Sequence, residues 1–206
     1  MATDISAEML AFGRERAAAA GLGNVEFVES DASSLDFPPA SFDAAVSRWG
    51  IIFEPDAEAA AGRIRGFLKP GARMAIASWG EPDEVPFLSI PMKTTRERLG
   101  VPPPPAGTPG PLSRPTPAAI GRLLTGGGFS NVAVEQDEVT FAFDSPEHFT
   151  AYVRAISAPI RAMIEQHAGE AQEEAWDAIT QAAADAAGGS GPLRFSNVVL
   201  VASGTA

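Results

Sequence analysis

A strand, a helix and a second strand follow one another at the start of the chain, and each strand ends in an aspartate. The first strand ends at Asp4, a helix is predicted from Ser6 to about Ala20, and residues 25–30 form a second strand before Asp31. Ligands of open parallel α/β sheets bind outside the carboxyl ends of the strands, so both acids face one crevice. An ionised carboxylate accepts hydrogen bonds at several positions, which suits ribose hydroxyls and an exocyclic amine. These residues therefore predict half of a nucleotide-binding site.

The alternation of strands and helices continues to residue 79. Phe42–Ser47 is short and apolar, as expected of a buried central parallel strand. A helix with apolar residues at helical spacing follows Pro55 and ends before Lys69–Gly71, and Arg73–Trp79 is the next strand. This order predicts an α/β fold with a doubly wound, mostly parallel, Rossmann-like sheet.

The remaining sequence departs from this alternation. Residues 81–117 are rich in proline and are predicted to form a lid or substrate loop. Residues 132–134 and 139–143 read as strand or hairpin segments, and residues 145–190 as a helical insertion. A last strand is predicted at Phe195–Ala202, antiparallel in the sheet. The whole chain, residues 1–206, is predicted to be a single domain.

Charge and composition exclude several classes of partner. The chain has 206 residues, a formal net charge of −11 and no cysteine. An acidic chain lacks the basic surface that binds a nucleic-acid backbone or an anionic membrane, so a small-molecule substrate is expected and neither nucleic acid nor membrane is. The absence of cysteine excludes disulfides and thiolate metal sites, and it fits a cytoplasmic location. The sequence contains no stretch of eighteen apolar residues, so no membrane span is predicted.

Four stretches resemble the class I S-adenosylmethionine-dependent methyltransferases, specifically the small-molecule enzymes of the ubiquinone/menaquinone-biosynthesis type. The stretches are Thr3–Leu10, Val28–Ala32, Phe42–Ser47 and Leu68–Ala72. The resemblance is specific from residue 3 to about residue 80 and weaker from there to the C-terminus. It implies S-adenosyl-L-methionine as the cofactor and methyl transfer to a small molecule by in-line displacement.

The same resemblance implies roles for individual residues. The acid after the first strand holds the ribose hydroxyls, and the residues that follow it pack on the adenine. The acid after the second strand accepts from the adenine amino group, and the exit of the Phe42–Ser47 strand lies near the methyl donor. The implied cofactor-binding residues are Asp4, Ile5, Met9, Asp31, Ala32, Ser47 and Arg48.

Aromatic residues and one histidine are candidates for substrate binding. Trp49, Trp79 and Phe87 are able to surround a sulfonium, whose positive charge favours the faces of aromatic rings. Packing in the core is an equally good interpretation of these three side chains. His148 is a candidate for a proton acceptor, although a solvent-facing helix position explains it better. No catalytic residue is assigned, and no constellation of metal ligands is expected.

One feature of the family is missing from the sequence. The strand and the Gly-rich loop that precede the first acidic strand end in the family have no counterpart before Asp4, so the chain is expected to be truncated at its N-terminus. Two alternatives to an active methyltransferase therefore stay open. One is a non-catalytic chain, truncated or completed by a partner, and the other is a nicotinamide-dependent dehydrogenase.

Overall fold

The structure is a computed structural model that describes residues 1–105, 107–167 and 169–206. Six strands, seven α-helices and two short 3-10 turns are found in these residues. The strands are β1 (Ala2–Asp4), β2 (Phe27–Glu29), β3 (Phe42–Arg48), β4 (Leu68–Trp79), β5 (Ser130–Phe143) and β6 (Leu193–Thr205). The helices are α1 (Ala7–Ala19), α2 (Ala57–Phe67), α3 (Pro86–Leu99), α4 (Pro117–Gly126), α5 (Pro146–Ile156), α6 (Ala158–Glu165) and α7 (Glu170–Ala187). The 3-10 turns are Ile51–Phe53 and Pro82–Glu84.

The strands form two sheets. β1 pairs with β2 in parallel, and a second sheet has the order β3-β4-β6-β5, with β3 parallel to β4. β6 runs antiparallel to β4, because Ala206 donates to the carbonyl of Ala72 while Gly80 donates to the carbonyl of Val198. The predicted mostly parallel α/β fold with an antiparallel last strand is confirmed.

Two compact units divide the chain. The first contains residues 1–78, 109–135 and 200–206, and the second contains residues 79–108 and 136–199. In the first unit, α2 and α4 pack closely, since a Cβ atom added to Gly127 would lie 2.7 Å from the Cβ of Ala61. The large buried side chains of this unit include Ile51, Ile52, Met74, Ile76, Ile120, Leu123 and Leu124.

The second unit is mainly helical. Helices α3, α5, α6 and α7 enclose an apolar cluster to which the adjoining parts of β5 and β6 also contribute. Its fully buried members include Phe149, Ile164, Ile179 and Leu193. The helical insertion predicted at residues 145–190 corresponds to α5, α6 and α7.

The structure corrects the prediction that Phe42–Ser47 is a buried central strand. β3 is the end strand of its sheet, and its only hydrogen-bonded neighbour among the described strands is β4. The Val46 side chain is 81% exposed. The apolar sequence of β3 therefore lacks the cover that a parallel strand normally has on both faces.

This exposure predicts that Val46 contributes little to folding. We expect Val46→Ala to change the free energy of unfolding by less than about 0.5 kcal/mol, because no packed contacts are lost. The matched Ile76→Ala change in neighbouring β4, where the side chain is 1% exposed, is expected to cost about 2–5 kcal/mol. Urea unfolding followed by circular dichroism measures both, and equal costs would contradict the exposed placement of β3.

Two further predictions need correction. Within the predicted Pro-rich loop, Pro86–Leu99 is a 14-residue helix that contains Pro91. Thr95, fully buried, donates from its hydroxyl to the Pro91 carbonyl. Residues 132–134 and 139–143, predicted as separate strand or hairpin segments, belong to one continuous strand, Ser130–Phe143. The prolines and the run of polar residues indicated interruptions of regular structure that the fold does not have. Packing against β6 and the helices outweighs the local preference of these residues.

Candidate functional site

The structure brings the two predicted strand-end acids together at the carboxyl ends of β1 and β2. In the parallel register Asp4 lies opposite Glu29, two residues before Asp31. The amide of Ser30 donates to the carbonyl of Asp4 at 3.0 Å, which continues the pairing past the end of β2. Both acids therefore belong to one edge of this small sheet, as the sequence predicted.

The Asp4 carboxylate is oriented by the start of α1. Its Oδ1 accepts from the amide of Ser6 at 2.9 Å, and Ser6 in turn caps α1 by accepting from the amide of Met9 at 3.2 Å. The cap fixes the chain direction immediately after the strand. One carboxylate oxygen is thus committed to the local turn, whereas no hydrogen bond to Oδ2 is found in the described residues.

The Asp31 carboxylate is fixed in the same way by the residues that follow it. Its Oδ1 accepts from the Ser33 hydroxyl and from the Ser34 amide, each at 2.7 Å. These hydrogen bonds, the Ser33 hydroxyl first, lower the pKa of Asp31 below its ordinary value of 3.8. The group is therefore ionised at neutral pH, and its Oδ2 retains lone pairs for a donor such as an amine.

Apolar side chains adjoin the Asp4 turn. Ile5 is 70% exposed and Met9 is 58% exposed, although both are large hydrophobic residues. Ile5 follows Asp4 directly and precedes the Ser6 cap, and Met9 lies in the first turn of α1. These side chains offer an uncovered apolar surface beside a hydrogen-bonding carboxylate, a combination that suits a planar base attached to a sugar.

Two hydrogen bonds that the sequence did not predict connect the loop after β2 to residues 54 and 63. The amide of Ala32 donates to Oε1 of Glu54 at 3.2 Å, and Nη1 of Arg63 donates to the carbonyl of Leu35 at 3.2 Å. Glu54 is 22 residues from Ala32, and no motif marks the pairing. Only the folded arrangement of the first unit brings Glu54 to the Asp31 loop.

The exit of β3 has unusual backbone geometry. The Ser47 hydroxyl oxygen accepts from the amide of Ile51 at 3.0 Å, which supports the turn that follows the strand. Within this turn Trp49 has a φ of 53°, a conformation that is strained for a bulky side chain. The Arg48 guanidinium lies 5.3 Å from the centre of the Trp49 ring. Such strain is frequent at functional sites, where the surrounding structure enforces it.

The other predicted substrate residues belong to the second unit. Trp79 and Phe87 are only 5% and 6% exposed, and Phe87 stacks on Phe141 with ring centres 4.3 Å apart. Their packing is that of core side chains, which was the alternative interpretation. The side chain of His148 is 53% exposed, with its ring edge-on to Phe143. A substrate role for Trp79, Phe87 and His148 stays a prediction.

Residues 1–105, 107–167 and 169–206 contain neither a cluster of metal-ligating side chains nor a helix suited to a bilayer. No group of three or more histidine, aspartate or glutamate side chains in these ranges has the proximity to hold a metal ion. In the same residues, none of the helices has the length and apolar character required to cross a bilayer.

The fold and the sequence have counterparts among known proteins. Residues 1–71 match the methyltransferase domain family. The ubiquinone/menaquinone biosynthesis C-methyltransferase of Brucella anthropi is 43% identical over 86 residues, which are 41% of this chain and 32% of that protein. The chain spans about a third of the length of the curated relatives it matches.

Solved structures extend the likeness to nearly the whole chain. A putative methyltransferase of Bacillus halodurans superposes with a TM-score of 0.57 and 13% identity, covering 98% of this chain and 80% of that one. A phosphoethanolamine N-methyltransferase of Haemonchus contortus, solved with S-adenosyl-L-methionine, superposes with a TM-score of 0.54 and 20% identity. This match covers 98% of this chain and 42% of that one.

The described residues have an α/β fold similar to that of solved methyltransferases. Residues 1–71 are in addition similar in sequence to the methyltransferase domain family.

Proposed function

We propose that the chain binds S-adenosyl-L-methionine and transfers its methyl group to a small-molecule acceptor. The observation that carries the proposal is the pair of carboxylates, Asp4 and Asp31, at the carboxyl ends of adjacent parallel strands. Each has one oxygen held by its own turn. Because one oxygen is held, the orientation of each carboxylate is fixed and its second oxygen points in one direction. Less conformational entropy of the side chain is then lost when a ligand binds.

The residues present fit the adenosine part of this cofactor. Asp4 would accept from the ribose hydroxyls and Asp31 from the adenine amine, and the exposed side chains of Ile5 and Met9 would cover the ring. Ala32, Ser47 and Arg48 are proposed as further cofactor-binding residues. The negative charge of Asp31 strengthens its hydrogen bond to the amine relative to a neutral acceptor.

The cofactor would supply a methyl group on a positively charged sulfur. The chain would align the cofactor with the acceptor and exclude water from the reacting atoms. With the cofactor held by Asp4 and Asp31, the acceptor would take the methyl carbon in an in-line displacement, and the electron pair of the broken carbon–sulfur bond would stay on sulfur. Catalysis of this step depends mainly on alignment and on exclusion of water. A base is needed only where the acceptor must lose a proton.

The chemistry of the chain supports a small, non-nucleic acceptor. The net charge of −11 disfavours polyphosphate backbones. The relatives named above include enzymes that methylate small molecules by name, namely a C-methyltransferase and an N-methyltransferase. A cytoplasmic location is part of the same proposal. So is a role in covering the substrate for residues 81–117, within which Pro86–Leu99 is the helix α3 and not a loop.

Calorimetric titration with S-adenosylhomocysteine tests the proposal. We expect the full chain to bind this product and Asp4→Ala to weaken binding about tenfold, because a charge-assisted hydrogen bond to the ribose is lost. The control is Glu15→Ala, which removes an equal charge from an exposed position of α1 and is expected to leave binding unchanged. Absence of heat with the intact chain, or binding of a reduced nicotinamide cofactor instead, would refute the proposal.

A further inference from the structure

Residues 113 and 114 are held against the exits of β3 and β4. The Ser113 hydroxyl donates to the carbonyl of Ile52, in the turn after β3, at 3.1 Å. Ser78, the fully buried next-to-last residue of β4, donates from its hydroxyl to the carbonyl of Arg114 at 2.9 Å. All four residues belong to the first unit. The backbone of Arg114 is therefore fixed at the carboxyl end of β4, the edge where open α/β sheets bind their ligands.

The Arg114 side chain is half-buried and has no anionic partner in the part of the chain that the structure describes. Its Nε is shielded from solvent, and among the described residues this atom has no hydrogen-bond partner. A guanidinium keeps its charge in proteins, so burying one of its N–H groups without an acceptor costs free energy. A bound ligand that supplies the acceptor would remove this cost.

A second arginine borders the same edge of the sheet. Arg48 is the last residue of β3 and pairs in register with Ala77, the residue before Ser78. It is exposed, and it takes part in none of the ion pairs found among residues 1–105, 107–167 and 169–206. Two guanidinium groups at neighbouring strand ends attract an anion more strongly than one does.

We propose that Arg114 binds an anionic group, a carboxylate or a phosphate, of the methyl acceptor. This inference rests on the proposed function and deepens it by naming the class of acceptor. The planar guanidinium donates two parallel hydrogen bonds to such a group, a geometry that the ammonium of lysine lacks. Because Ser78 already fixes the backbone of Arg114 and its Nε is already out of water, little further ordering is required on binding.

Phenyl phosphate and benzoate are the probes for the two kinds of anion, and benzamide is the neutral match of benzoate. Each compound is titrated into the full chain with and without S-adenosylhomocysteine, and the dissociation constant is taken from the amide NMR shifts of residues 113 and 114. We expect at least one anion to bind about tenfold more tightly than benzamide, because a charge-assisted pair of hydrogen bonds forms. The tighter anion identifies the group as phosphate or carboxylate.

Substitutions at Arg114 separate recognition by the guanidinium from general damage. We expect Arg114→Gln to weaken binding of the preferred anion at least about tenfold, and Arg114→Lys to weaken it less, because lysine keeps the charge without the paired donors. Arg122→Gln is the matched control, since it removes an equal charge from an exposed position of α4 in the same unit. This control is expected to stay within about twofold, because an exposed charge is screened.

Thermal unfolding distinguishes ligand recognition from a structural role. We expect the Tm of Arg114→Gln to be no lower than that of the unchanged chain, since the Nε of Arg114 has no hydrogen bond to lose. Equal anion binding by Arg114→Gln and the unchanged chain would overturn the inference. Binding of benzamide as tight as that of both anions, or no binding of either anion, would do the same. A lower Tm in Arg114→Gln would show that the residue acts in stability, which also overturns it.

Failure of the proposed function is recognised separately. If S-adenosylhomocysteine does not bind to the chain, methyl transfer by this chain is refuted. Anion binding that depends on Arg114 would then still establish an anion site at the exit of β4, and the assignment of that anion to a methyl acceptor would be overturned.

Discussion

Asn197→Leu is expected to lower the free energy of unfolding by about 3–5 kcal/mol. Asn197 lies in β6, fully buried, and its side chain makes three hydrogen bonds within the second unit. Oδ1 accepts from the Phe87 amide at 2.9 Å, and Nδ2 donates to the carbonyls of Val139 and Phe195 at 3.2 and 2.8 Å. Leucine fills a similar volume, so the loss comes from unsatisfied polar groups, each costing about 1–3 kcal/mol.

These three bonds join the start of α3 to β5 and β6. Phe87 is the second residue of α3, where a helix has no internal acceptor for its amide. Asn197 supplies that acceptor from a strand that is distant in sequence. The same side chain therefore caps a helix and bridges two strands, and its loss is expected to loosen all three elements together.

Urea unfolding followed by circular dichroism measures the effect. Ser196→Ala is the matched control, because the adjacent side chain bonds to exposed Glu138 and is expected to change stability by less than about 0.5 kcal/mol. Asn197→Asp keeps the acceptor for Phe87 but loses both donors and buries a charge, so it is also expected to destabilise strongly. A cost below about 1 kcal/mol for Asn197→Leu would contradict the role of this network.

Asp31→Asn is expected to weaken binding of S-adenosylhomocysteine about 10- to 100-fold. The asparagine Oδ1 is able to keep the bonds from Ser33 and Ser34, so the turn is preserved. Its amino group then replaces the free carboxylate oxygen and faces the adenine amine, and two donors oppose each other. Loss of a hydrogen bond to a charged group, worth about 1.5–3 kcal/mol, gives a change of this size.

The inosine analogue of S-adenosylhomocysteine, which carries an oxygen in place of the amine, distinguishes this contact from general damage. The unchanged chain is expected to prefer the adenine compound, and Asp31→Asn to lose or reverse that preference. Equal weakening towards both compounds would indicate that Asp31 does not contact the amine.

The pH dependence of binding follows from the lowered pKa of Asp31. A carboxylate whose folded pKa lies below its unfolded value stabilises the fold above the unfolded pKa, and the contribution is lost as the pH falls through the folded pKa. Adenine recognition by the ionised group is therefore expected to be constant from about pH 5 to 8. Ser33→Ala removes the hydrogen bond that lowers the pKa of Asp31 most. We therefore expect the pKa of Asp31 to rise in this variant, as measured by carbon-13 NMR titration of its carboxyl group.

Local sequence signals predicted much of the chain correctly. The helix predicted from Ser6 begins there, because the Ser6 hydroxyl oxygen accepts from the Met9 amide in the first turn of α1. The position of Asp4 and Asp31 at one sheet edge also followed from sequence, because alternating strands and helices place successive carboxyl ends together. These features depend on neighbouring residues and on general rules of parallel sheets.

Contacts between distant residues were not predictable in the same way. The apolar sequence of β3 indicated a buried strand, yet Val46 is exposed. An apolar sequence shows that a strand is suited to burial, but it does not show whether another element covers that strand. No prediction was made for Asn197, a polar residue within the apolar strand Phe195–Ala202. The sequence contained no sign of its three partners.

The sequence alone determined the alternation of strands and helices up to residue 79, the start of α1 at Ser6 and the two acids of the candidate cofactor site. Each of these depends on interactions within a few residues or on a rule of strand direction. The tertiary structure decided that the strands divide into the sheets β1–β2 and β3–β4–β6–β5, and that Glu54 accepts from the Ala32 amide. The physical reason is that side-chain hydrogen bonds and burial depend on atoms 22 to 110 residues away, whose proximity exists only in the folded chain.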